Sequence, residues 1–145
     1  MIAIASDHGG FAMKQELTEK LRAMNIEFED LGCRDTASVD YPLYADALCE
    51  GIRAGRYKKG ILICGTGLGM SMAANKHPGI RAALCADCYS ARMAREHNDA
   101  NVLCLGGRTL GAELAKTIME IFLCTEFSGL EKHRRRISMF PDAQN

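Results

Sequence analysis

The chain has no net charge, few aromatic residues and no long apolar run. Among its 145 residues, 18 Lys and Arg balance 18 Asp and Glu, and aromatics make up 6%. A protein that grips a polyanion gains affinity from each phosphate it neutralises, so a balanced chain argues against nucleic acid as a partner. No apolar stretch approaches the roughly 18 residues that a membrane-spanning helix requires, which argues against a membrane protein. The first residues, Met1-Ile2-Ala3-Ile4, run straight into a motif and do not form a basic then apolar leader. Linkers, low-complexity tracts and internal repeats are also missing. These absences lead to the expectation of a cytoplasmic protein with one domain, residues 1–145. A chain of this length buries about 70% of its unfolded surface and needs no metal or disulfide staple.

The seven cysteines, at 33, 49, 64, 85, 88, 104 and 124, are an odd number and sit mostly in apolar runs. Reduced thiols are expected. Only Cys85 and Cys88 have the two-residue gap of a zinc or redox pair, and no second pair matches it. A cysteine ending a strand and another starting a helix is the favoured reading, with no metal and no cofactor.

Short apolar runs alternate with longer segments of helical period. Strands are expected at Ile2–Ser6, Ile26–Leu31, Ile61–Cys64, Arg81–Cys85 and Val102–Leu105. Helices are expected over Phe11–Met24, from Pro42 to about Arg53, through Ala73 and Ala74 to Lys76, over Tyr89–His97 and over Gly111–Leu123. Ser128–Phe140 reads as a last helix or tail. Five strands alternating with helices imply a doubly wound, Rossmann-like α/β domain with a parallel sheet covered on both faces.

In such a sheet, ligands bind beyond the carboxyl ends of the strands. Three segments are expected there: Ser6-Asp7-His8-Gly9-Gly10, Cys64-Gly65-Thr66-Gly67-Leu68-Gly69 and Gly106-Gly107-Arg108. The Cys64–Gly69 loop carries the strongest signal, because glycines let backbone N–H groups turn toward an anion. A dinucleotide fingerprint would place Gly at position 70, and a cysteine phosphatase would place Arg there; Met70 weakens both. An anion hole for an oxyanion or enediolate requires only N–H donors, a hydroxyl such as Thr66, and a base such as Cys64. One such donor is worth about 2.7–4 kcal/mol to a developing oxyanion. A tight strand-to-helix turn without chemistry is the plain alternative. Asp7-His8 and Glu96-His97-Asn98-Asp99 supply acid–base candidates near neutral pH. Tyr41 could reach a ligand hydroxyl or simply pack a turn. Lys132 and Arg136, four apart in the basic run 132–136, share a face if that run is helical. With Arg108 they could grip one phosphate.

Together these residues resemble the type B ribose-5-phosphate isomerase family over nearly the whole chain. The resembling segments are residues 6–10, Val39-Asp40-Tyr41-Pro42, 63–69, 74–76, 79–82, 96–102, 106–108 and 133–137. The resemblance implies a metal-free aldose–ketose isomerisation between ribose 5-phosphate and ribulose 5-phosphate through an enediolate. It implies Cys64 as the base, with Thr66 and the amides of Gly65, Gly67, Leu68 and Gly69 holding the oxyanion. It implies His97 as the group opening the sugar ring, Asp7 and Asn98 on sugar hydroxyls, and His8, Arg108 and Arg136 on phosphate, with Tyr41 closing the pocket. A homodimer or homotetramer with shared sites is implied as well, one chain lending His97, Asn98 and tail arginines to its partner. The chain departs from the family's pattern in two places. Lys132 stands where the family usually has Arg, which keeps the charge and loses the bidentate fork. The stretch Ser128–Glu131 is one residue longer, which leaves Arg135 and Arg136 both open as the phosphate ligand. Allose 6-phosphate isomerisation and a non-catalytic sugar-phosphate or nucleotide sensor are the alternatives; His97 argues against the galactose enzyme.

Overall fold

The computed structural model describes residues 1–141; positions 142–145 of the expected domain lie outside them. Three runs of small and branched apolar residues form strands buried on both faces: β1 (Ile2–Ser6) first, then two more. A second strand, β2, is Phe28–Asp30; the others are β3 (Gly60–Cys64), β4 (Ala82–Leu84) and β5 (Val102–Gly106). All neighbours pair in parallel, in the order β2-β1-β3-β5-β4. The continuous apolar composition of β1, β3 and β5 follows from their interior positions, since a strand between two helical layers has no wet face.

Side chains alternate strictly between the two layers. Ile2, Ile4, Ile61, Ile63, Leu103 and Leu105 meet α1 (Phe11–Ala23), α4 (Cys88–Glu96) and α5 (Ala112–Cys124). Ala3, Ala5, Leu62, Cys64, Val102 and Cys104 meet α2 (Tyr41–Arg53) and α3 (Leu68–Ala74). A last helix, α6, spans Glu131–Ser138. The doubly wound fold is therefore as expected, and element ends differ by one to two residues for most elements. β2 is shorter than Ile26–Leu31 and β4 shorter than Arg81–Cys85, because both are partly exposed edge strands where pairing stops early. α3 stops at Ala74, two residues before Lys76, where Asn75 caps it and turns follow.

The cysteine pair has a local explanation. Cys85 is buried just after β4, Cys88 opens α4, and Asp87 between them caps that helix by accepting from the Ser90 N–H at 2.7 Å. Those hydrogen bonds hold the Asp87 carboxyl below its ordinary range.

The chain turns one way from β1 to β2 and the other way from β3 onward. That reversal opens a crevice at the carboxyl ends of β1 and β3, where the loops after both strands lie side by side.

Candidate functional site

Three glycine-bearing loops meet at that crevice. The Asp7 N–H donates to the Ile63 carbonyl, the Gly107 N–H to Cys64 and the Arg108 N–H to Gly65. Glycine is required where these backbones touch. A Cβ on Gly10 would stand 2.5 Å from the Ile63 carbonyl oxygen, and one on Gly107 would stand 2.7 Å from that of Gly9. The three segments expected at one sheet edge are thus brought together, and Asp7 is fixed there by accepting the Gly10 N–H at 3.1 Å.

Cys64 ends β3, and its Sγ accepts the Gly67 N–H at 3.1 Å. Gly67 has φ +79°, a left-handed conformation that folds the loop back over the sulfur. Its missing Cβ would lie 2.5 Å from Leu84 Cδ1 and 2.9 Å from the Leu105 carbonyl carbon. Gly67→Ala is therefore expected to cost roughly 2–4 kcal/mol from the strained φ and the clash combined. Urea unfolding of the variant against the parent chain measures it, and an unchanged midpoint would contradict this account of the loop.

The loop's donors divide in a way the sequence did not disclose. Gly67 N–H is taken by the sulfur and Leu68 N–H by Thr66 Oγ1 at 3.2 Å. Among the described residues, the N–H groups of Gly65, Thr66, Gly69 and Met70 have no protein acceptor. The donors offered to an anion are thus partly those expected: Gly65, Thr66 and Gly69 are free, Gly67 and Leu68 are engaged locally, and Met70 is fully buried.

Around the loop stand the other expected residues. Tyr41 lies against Gly69, where a Cβ would come within 2.7 Å of the phenol ring. The Arg108 guanidinium lies over Gly65, 3.3 Å from where a Cβ would project. His8 accepts the Val39 N–H on Nδ1 at 3.2 Å, which leaves Nε2 as its outward nitrogen. Cys64 itself is only 5% exposed, beneath exposed Thr66. Three other thiols are held as neutral groups by burial, which pushes Cys49 up to about 12, Cys85 up to about 11 and Cys104 well above its ordinary value.

His97, Asn98, Lys132 and Arg136 are not brought to this crevice within one chain. His97 caps the carboxyl end of α4, and Asn98 lies just before β5, so both stand at the amino edge of the parallel sheet. That turn is heavily braced. Asp99, at φ +44°, receives Arg95 on Oδ1 at 2.9 Å and Arg81 on Oδ2 at 3.2 Å, while Arg81 Nε also donates to the Asn98 carbonyl. Neither Arg81 nor Arg95 was singled out from the sequence; the four-residue spacing of Arg95 and Asp99 was the available signal. A cavity of about 380 Å³ opens beside Asn98, lined also by Asn75, His77, Arg81 and Phe140. On α6, Lys132 and Arg136 share a face; Arg135 pairs with Glu131 at 2.9 Å, and Arg136 is exposed with no ion pair among the described residues.

Residues 2–140 match the Ribose/Galactose Isomerase family. Ribose-5-phosphate isomerase B of Escherichia coli is 43% identical over 94% of this chain and 91% of its own length. D-erythrulose-4-phosphate isomerase of Pectobacterium atrosepticum is 42% identical over 88% of this chain and 85% of its own. The crystal structure of a ribose 5-phosphate isomerase from Thermotoga maritima superposes with TM-score 0.92 and 52% identity, covering 94% of each chain. With the fold, the glycine-lined thiol loop and these likenesses together, the chain belongs to the ribose/galactose isomerase family and is a sugar-phosphate aldose–ketose isomerase.

Proposed function

We propose that the chain interconverts ribose 5-phosphate and ribulose 5-phosphate through an enediolate, with Cys64 as the base. The observation that carries this reading is the seat of the Cys64 sulfur at the end of β3, held by the Gly67 N–H inside a loop that leaves the N–H groups of Gly65, Thr66 and Gly69 without a protein acceptor. Sγ takes the proton from carbon 2 of the open aldose and returns it to carbon 1. Charge developing on the oxygens meets the Thr66 hydroxyl and the free Gly65, Thr66 and Gly69 amides, each aligned donor being worth about 2.7–4 kcal/mol. His8 Nε2 and Arg108, at the same edge, take the phosphate, and Asp7 takes a sugar hydroxyl.

His97 opens the furanose, Asn98 holds a hydroxyl, and Arg136 with Lys132 adds charge to the phosphate site. Because these four stand away from Cys64 in one chain, a second copy supplies them, and the working unit is a homodimer or a pair of dimers. Exposed Leu43, Leu68 and Met72, close to the crevice, offer apolar surface for that contact. Arg136 is the phosphate ligand in preference to Arg135, since Arg135 is already paired with Glu131. Among the described residues no helix is long and apolar enough to cross a membrane; the substrate is a small phosphosugar, and the expected location is the cytoplasm.

The identity of the sugar is tested by kcat/KM on ribose 5-phosphate, allose 6-phosphate, galactose 6-phosphate and erythrulose 4-phosphate. Ribose 5-phosphate is expected to lead by about tenfold or more, the discrimination that one well-placed contact supports. A lead by another sugar would replace the substrate and keep the chemistry; no turnover and no hydrogen exchange with solvent, at carbon 2 of the aldoses or carbon 1 of the ketose, would favour a sensor.

A further inference from the structure

The His97 ring does not stand alone. It is exposed on the turn after α4, and one side of it lies against His133 of α6, with ring centroids 4.3 Å apart and planes tilted by 34°. His133 is 5% exposed. Its Nδ1 lies 2.6 Å from Ser128 Oγ. That same oxygen accepts the Leu130 N–H at 3.2 Å, and the Ser128 N–H donates to the Glu96 carbonyl at 3.0 Å. Ser128 therefore ties the start of α6 to the end of α4 and leaves its hydroxyl hydrogen for His133 Nδ1. A buried ring fixed at one nitrogen by a short hydrogen bond cannot rotate freely, and an exposed ring lying on it loses the same freedom.

Resting on the ring-opening role of His97, we propose that His133 is a positioning residue, which through its Ser128 hydrogen bond and its stack fixes the orientation in which His97 exchanges a proton with the ring oxygen of the sugar. Burial, then the charges of His97, Lys132 and Arg136, hold the His133 pKa below the usual imidazole range, against a smaller opposing effect of Glu96. Neither histidine is needed once the chain of the sugar is open, because Cys64 and the glycine loop lie elsewhere.

Two substrates separate these steps. Ribose 5-phosphate enters as a furanose, whereas ribulose 5-phosphate cannot close one, since its carbon 5 oxygen carries the phosphate. In the full-length enzyme, His133→Ala is expected to lower kcat on ribose 5-phosphate about tenfold, part of the roughly 10²–10⁴ available to general acid–base catalysis. Exchange of the carbon 1 hydrogen of ribulose 5-phosphate with D2O is expected to stay within about twofold of the parent enzyme. Ser128→Ala, which keeps the stack and removes the hydrogen bond, is expected to show the same selectivity at a smaller size, and it decides the matter if His133→Ala fails to fold. Equal losses on both substrates, or no loss, overturn the proposal. His97→Asn run in parallel separates the two levels. If that variant is selective for the furanose while the His133 and Ser128 variants are not, only the positioning role falls. If His97→Asn is itself unselective, the ring-opening reading falls and takes the positioning role with it.

Discussion

Cys64→Ala is expected to lower kcat on ribose 5-phosphate by about 10³ or more, toward the upper end of what one general base contributes. Ligand binding should survive, because His8, Arg108 and the free loop amides are untouched; a thermal shift with ribose 5-phosphate reads that directly. Cys64→Ser sharpens the test. Serine keeps an acceptor for the Gly67 N–H, so the loop conformation persists while the soft, acidic sulfur is gone. Near-parent activity in either variant would remove Cys64 as the base. The same variant also tests where His97 acts. Cys64→Ala and His97→Asn chains, each inactive as homo-oligomers, should regain activity when subunits are exchanged, because a mixed dimer contains one site with both groups intact. Failure to regain any activity would place both groups in one chain's site, against the position of His97 at the amino edge.

The fold was legible where burial leaves a strong chemical mark. β1, β3 and β5 are apolar at every position because both faces are covered, and each was read within one residue of its bounds. β2 and β4 are three residues each and partly wet, so their pattern faded into the flanking turns and was read too long. The placing of β5 between β3 and β4 was not available at all, since no local signal records which strands become neighbours across an intervening helix. For the site, the three loops at the carboxyl edge follow from any parallel α/β sheet, and their polar residues could be named in advance. Which amides remain free could not, because Gly67 and Leu68 lose theirs to contacts that depend on the loop's left-handed turn. Arg95 and Asp99, four apart, are the one brace that spacing signals; the reach of Arg81 to Asp99 and the stack of His97 on His133 join residues distant in sequence, and residue type gives no hint of such pairs.

Lys14→Ala is expected to cost about 3 kcal/mol of stability, from the buried ion pair that it breaks. Lys14 is 1% exposed, an extreme position for an ammonium group. It is tolerated because all three of its hydrogens are used: Nζ lies 2.6 and 2.8 Å from the two Asp30 carboxylate oxygens and 2.8 Å from the Cys33 carbonyl. Asp30 in turn accepts the Gly32 N–H at 2.9 Å, so this ion pair clamps the end of β2 and the chain beyond it onto α1. Truncating the lysine leaves a carboxylate and a carbonyl without their partner, and breaking a buried pair from one side costs about 3–5 kcal/mol. The lower figure applies, since the Asp30 side chain is 26% exposed and water reaches part of it. About 3 kcal/mol corresponds to a fall in Tm of roughly 6–12 °C for a chain of this size. Substituting both partners, Lys14→Met with Asp30→Asn, should destabilise less than Lys14→Met alone, because no unpaired charge remains and asparagine still accepts from Gly32. Thermal melts of the two single variants and the double variant supply the cycle; additive losses would mean that the pair holds nothing together. The loop beyond Cys33 leads to Val39, whose N–H sets His8, and then to Tyr41 over the glycine loop. A weaker grip on phosphate, seen as a higher KM with kcat little changed, is therefore the expected companion of the lost stability.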